Sequence, residues 1–149
     1  MASLKQQIAE MRQSFFDEEL LDKYFIQLEQ LADLDNPDFV EDVLTLFFRD
    51  STQLLSTIEE DMEKIPLDYV TLDRNLHQLK GSSASVGANK IKIEVNQTRE
   101  HLKEGNLEGA KASFEQLKKE HSTLKTKLNN YFQLVNQVGP TGPGTSASA

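Results

Sequence analysis

The distribution of glycine and proline constrains this chain more than any other feature. Of its 7 Gly and 4 Pro, 3 Gly and 2 Pro fall in the last eleven residues, 139–149. The preceding 138 residues hold only Gly81, Gly87, Gly105, Gly109, Pro37 and Pro66 as strong punctuation, too little for the many tight turns of an all-β fold. Long helices are the natural reading. The terminal segment GPTGPGTSASA carries no charge and no large apolar side chain, so burial cannot offset the entropy of ordering it. It reads as a disordered tail, 139–149, on a single domain, 1–138.

Apolar spacing supports helices throughout the body. From Leu107 the apolar positions run through Ala110, Phe114, Leu117, Leu124, Leu128, Tyr131 and Val135 in steps of three and four, with a gap at His121, which predicts one long amphipathic helix. A second stripe runs Val40, Leu44, Phe47, Ser51, Leu54, Ile58, Met62, Ile65. Asn36 is the expected N-cap of that helix, Pro37 its first residue, and Pro66 its end. Leu21, Tyr24, Leu28 and Leu31 mark an earlier helix; Leu72, Leu76, Leu79, Ser83 and Val86 a later one; Ile91, Val95, Thr98 and Leu102 another. Gly87 and the pair Gly105, Asn106 separate these segments. A weaker stripe at Leu4, Ile8 and Met11 predicts a short N-terminal helix. The expectation is all-α: about six helices, with the last four forming an antiparallel four-helix bundle and the N-terminal helices packed on one side. The breaks near 66, 87 and 105 favour this over an extended coiled coil.

Charge and cysteine usage remove several function classes. With 24 acidic against 16 basic residues the net charge is −8, which disfavours nucleic acid as a partner. The absence of Cys excludes disulfides, thiolate metal sites and a thiol nucleophile. No stretch approaches the roughly 18 consecutive apolar residues of a membrane span, and Lys5, Glu10 and Arg12 interrupt the N-terminus where a secretory signal would be apolar. The chain is expected to be intracellular, off the membrane and monomeric.

One segment stands apart. In His77 to Ala88, HQLKGSSASVGA, small residues replace the usual helix formers. At 100° per residue, His77 falls roughly 130° from the centre of the Leu72, Leu76, Leu79, Ser83 face, and so should point to solvent. Lys80 and Gly81 lie three and four residues on, the positions that neighbour His77 on a helical surface. A helix-interior Gly costs about 0.5–1 kcal/mol relative to Ala, and close approach of another macromolecule to the imidazole would explain it. A solvent-exposed imidazole is a usable nucleophile at cellular pH, and Lys80 could offset charge on a phosphoryl group there. Arg74, Lys80, Lys90 and Lys92 occur between 74 and 92 with no acidic residue among them. Removing those four from 16 leaves 12 basic against 24 acidic elsewhere, so a local positive patch would steer an acidic partner to His77.

The other two histidines have structural readings. His101 sits in the last turn of its helix, where a cation favours the dipole; His121 lies in the seam between Leu117 and Leu124 and reads as a hydrogen-bonded histidine at the bundle edge. A di-iron bundle needs Glu three residues before each ligand His, but Arg74, Thr98 and Lys118 stand there. No metal site is expected. The run Glu59, Glu60, Asp61, Glu63 reads as a solvated face, and no nucleotide-binding signature occurs.

The string HQLKGSSASVGA closely resembles the phosphorylation motif of histidine-containing phosphotransfer proteins, of the plant type that acts in cytokinin-style multistep phosphorelays. A second stretch, NPDFVEDVLTLFFRDS from Asn36 to Ser51, is similar to another segment of that family, and the resemblance runs over roughly residues 3 to 136. It implies a helical bundle that acts as a phosphocarrier without an ATP site of its own. His77 would accept a phosphoryl group from the aspartate of a hybrid histidine kinase's receiver domain and pass it to the receiver aspartate of a response regulator. Lys80 and Gly81 would support it, with Gln78, Ser82, Ser83, Arg74 and Lys90 as surroundings. The chain itself would hold no cofactor, the Mg²⁺ being bound by the receiver, and it would work in cytoplasm and nucleus. Inactive members of the family carry Asn at the motif position, where this chain keeps His77. It departs from plant members on the following helix, where Val95, Thr98, His101 and Leu102 stand in a stretch that commonly carries Cys and Phe.

Overall fold

The sequence folds as six helices with no strand among the described residues. In the computed structural model, which describes residues 3–32 and 35–138, these are α1 (Leu4–Asp17), α2 (Lys23–Leu31), α3 (Phe39–Met62), α4 (Tyr69–Val86), α5 (Asn89–Lys103) and α6 (Leu107–Val138). The expected tail, 139–149, lies outside the described residues. Helices α3 to α6 form the bundle, α4 packing on α3 and α5, and α6 on α5 and α3; α1 lies against α6, and α2 against α3 and α4. The all-α bundle with added N-terminal helices is the architecture expected.

The stripes of α4 and α5 are buried at every expected position: Leu72, Leu76, Leu79, Ser83 and Val86 on one, Ile91, Val95, Thr98 and Leu102 on the other. A fully buried Leu contributes about 1.5–3 kcal/mol, so the inner face of α4 fixes by exclusion which residues face out. The α6 stripe is buried from Ala110 to Tyr131, but Leu107 at its start is 37% exposed.

Elsewhere the stripes need correcting. Phe25, fully buried, anchors α2 with Leu28, while Tyr24 and Leu31 face out. Midway along α3 the stripe passes through the buried Leu55 rather than Leu54, which is only half-buried. The helix ends at Met62, so Ile65 lies beyond the turn and is 97% exposed; Pro66 follows four residues after the end. Asn36 is not the N-cap of α3. Its carbonyl accepts from the Phe39 N–H at 3.2 Å, closing a turn through Pro37, and Asp38 takes the cap position without a side-chain hydrogen bond. The N-terminal helix is also longer than the weak stripe suggested, 14 residues, because Phe15 packs edge-on against Tyr131 of α6 at 5.5 Å.

Both ends of α4 are pinned. At its start Asp68 accepts from the Thr71 N–H at 3.1 Å and from the Thr71 hydroxyl at 2.7 Å, and those bonds hold its carboxyl below the usual range. At its end Gly87 turns into the left-handed region, φ 79°, and leads through Ala88 into α5. The chain before α2 is stitched to this corner: the Asp22 N–H donates to the Gly87 carbonyl at 3.0 Å and the Asn89 N–H to that of Leu20 at 3.1 Å.

His121 is buried, with Nε2 2.7 Å from Ser51 Oγ and its ring edge-on to Phe48. It is the hydrogen-bonded structural histidine that the seam position implied. Burial, aided by Lys125, pushes its pKa down to about 4. A folded pKa below the unfolded value near 6.5 means that on acidification the unfolded chain takes a proton the native state refuses. Stability at neutral pH should therefore be lost between pH 6.5 and about 4, by about 2–4 kcal/mol from this group. Urea midpoints at pH 7 and pH 4.5 test this: His121→Gln should flatten the pH dependence, and an unchanged slope would contradict it.

Candidate functional site

The outer face of α4 is what its buried leucines leave. Arg74, His77, Gln78 and Gly81 are exposed on it, with Lys80 and Ser82 half-buried at its margin. His77 points to solvent, as its angle from the apolar face requires. Among the described residues no hydrogen bond or ion pair holds its ring, so both ring nitrogens are open to a partner. Gly81 has a helical backbone, and a Cβ built there would meet nothing within 4 Å. No packing contact and no backbone conformation asks for glycine. The gap it leaves opens beside His77, one turn away.

The basic patch is smaller than expected. Lys92 pairs with Asp22 at 3.7 Å, both half-buried, so it serves the joint between α5 and the segment before α2. Arg74, Lys80 and Lys90 form no ion pair among the described residues and keep their charge available to an anion.

Two serines need separate statements. Ser83, named both in the apolar stripe and in the surroundings of His77, is fully buried and cannot be part of an exposed site. Among the described residues its hydroxyl has no hydrogen-bond partner, and its small volume rather than its polarity suits the packed face. Ser82 is at the margin, but its hydroxyl donates back to the carbonyls of Gln78 and Leu79, each at 3.2 Å. It is satisfied by its own helix.

Apolar spacing and motif length missed one charged pair at this face. Asp73, one turn before His77, is clasped by Arg99 of α5, with Nε 3.0 Å from Oδ1 and the second nitrogen 3.3 Å from Oδ2. The i, i+4 step from Asp73 to His77 was legible; the clasp spans 26 residues and was not.

Nothing else described gathers chemistry of this kind. Among the described residues no group of three or more His, Asp or Glu side chains could hold a metal ion. His101 sits in the last turn of α5, with Nδ1 3.4 Å from Asn106 Nδ2 and 3.9 Å from Glu104. A groove of about 400 Å³ between α3 and α6, walled by Leu44, Phe48, Leu128 and Phe132, takes no lining residue from α4.

Comparison with known proteins places the whole described body in one family. The Hpt domain family matches residues 42–127. The chain is 46% identical over 139 residues to "Pseudo histidine-containing phosphotransfer protein 2" of Oryza sativa subsp. japonica, covering 93% of this chain and 92% of that one. It is 50% identical over 113 residues to "Histidine-containing phosphotransfer protein 4" of Arabidopsis thaliana, covering 76% and 89%. Among solved structures, histidine-containing phosphotransfer protein MtHPt2 of Medicago truncatula superposes with a TM-score of 0.88 at 36% identity over 97% of this chain and 98% of that one.

Proposed function

Because the chain belongs to the Hpt family of histidine-containing phosphotransfer proteins, in its plant type, and is thus a phosphorelay intermediate rather than a conventional enzyme, we propose that His77 is its phosphoacceptor. The observation that carries this is the empty space beside an unpartnered, exposed imidazole: Gly81 costs helix stability and no internal contact requires it.

In this reading Nε2 of His77, the ring nitrogen farther from the backbone, attacks the acyl phosphate of a receiver aspartate in line. The N–P bond forms from the imidazole lone pair as the O–P bond breaks, and that bonding pair leaves with the carboxylate. Positioning does most of the work. Gly81 lets the receiver's surface approach, while Lys80, with Arg74 and Lys90 farther out, offsets phosphoryl charge. Gln78 and Ser82 border the contact. The Mg²⁺ belongs to the receiver, and the chain carries no ATP site, so phosphate arrives only from a partner. Donor and acceptor are the receiver domains of a hybrid histidine kinase and of a response regulator in a cytokinin-type relay. One face serves both in turn, so each complex is small and short-lived. The chain works as a monomer in cytoplasm and nucleus, the compartments a relay from a membrane kinase to a transcriptional regulator must join. No described helix is long and apolar enough to span a membrane.

The rice relatives whose names begin with "Pseudo" favour a second reading, in which the chain docks receivers but passes nothing on. The test is a two-step transfer: label from a phosphorylated receiver to the chain, then return to a second receiver. Return supports the relay, and binding without return supports the sink. Gly81→Gln should slow the first step by about tenfold or more through blocked approach. The same change should stabilise the helix by about 0.5 kcal/mol. An unchanged rate would remove this account of the glycine.

A further inference from the structure

Asp73 is the one acidic neighbour of His77 on α4 at i, i+4 spacing. A bare carboxylate there would oppose the arrival of an anionic phosphoryl group. It is not bare. The Arg99 guanidinium lies along it as a fork, at 3.0 and 3.3 Å, a geometry that a lysine could not supply. The two side chains are only 19% and 28% exposed, which lifts the pair above an ordinary solvent-facing one. Arg99 holds the Asp73 carboxyl below the usual carboxylate range, and Lys103 and His77 act on the same charge. His77 and Asp73 are therefore in electrostatic reach of each other. Of the charged residues within one turn of His77 on α4, Asp73, Arg74 and Lys80, Asp73 alone is negative.

We propose that Arg99 is a positioning residue for phosphoryl transfer: by clasping Asp73 from the next helix it neutralises the one charge beside His77 that would repel the incoming phosphoryl group. The inference rests on His77 being the acceptor. A purely structural clasp between α4 and α5 predicts something different, because it is lost equally when either partner, or both, are replaced.

The experiment compares the wild type, Arg99→Gln and the double variant Asp73→Asn/Arg99→Gln, using phosphoramidate as a small donor that needs no docking and a phosphorylated receiver as the larger one. Arg99→Gln should take label about three- to tenfold more slowly from either donor at low ionic strength, with the deficit shrinking as salt is added. The double variant should return to within about twofold of the wild type although its thermal midpoint falls as far as that of the single variant. A wild-type rate in Arg99→Gln, or a double variant as slow as the single one, would overturn the proposal and leave His77 as acceptor untouched. A wild-type chain that takes no label would overturn both.

Discussion

His77→Gln is expected to abolish labelling by a phosphorylated receiver domain while leaving the protein folded. The transferred group needs a nitrogen lone pair at the outer face of α4, and an amide side chain has none of comparable nucleophilicity. His77 is exposed and, among the described residues, is held by no hydrogen bond or ion pair, so its replacement removes neither from the fold. Gln is also a better helix former than His, and the change in stability should stay within about 0.5 kcal/mol. Circular dichroism and the thermal midpoint check the fold, and a radiolabel assay checks the chemistry. Retained labelling in a folded variant would remove His77 from its role.

Gly87→Ala should have the opposite profile, a large loss of stability from a small substitution. Gly87 holds φ 79° at the end of α4, where an L side chain is strained by about 1–2 kcal/mol. A Cβ there would also collide with the Phe25 backbone nitrogen and lie 2.9 Å from Asp22 Oδ1. The colliding atom is backbone at the start of α2, so relief requires moving the helix. That movement would disturb the fully buried Phe25, the hydrogen bond from Asp22 to the Gly87 carbonyl and the Asp22–Lys92 pair. The total cost should be about 3 kcal/mol, equivalent to roughly 10 °C in thermal midpoint for a chain of this size. Gly81→Ala, in open space on the same helix, should instead raise stability by about 0.5–1 kcal/mol. If the two melts move together, the distinction drawn between the two glycines is wrong.

How much of this was legible in the sequence follows from what each signal depends on. The inner faces of α4 and α5 could be read residue by residue, because long runs at three/four spacing leave only one way to bury them. The outward direction of His77 followed from the same face. The nine residues of α2 carry apolar groups on more than one side, and only the tertiary contact with the α4–α5 corner selects Phe25 over Tyr24 and Leu31. Ile65 continues the α3 spacing past the point where the helix ends, which periodicity alone does not register. Ser83 belonged to two patterns at once, and burial decided for the apolar one. The partners of Lys92 and Asp73 lie 70 and 26 residues away, so the true extent of the basic patch, and the clasp beside it, required the fold.

The account is tested most directly by locating the phosphate itself. The full chain is incubated with a phosphorylated receiver domain and Mg²⁺, the acid-labile, base-stable label is recovered, and the modified residue is identified by peptide mapping. Phosphate on His77 is the predicted result. Phosphate on His101 or another residue, or none on a folded chain offered several receivers, would contradict it.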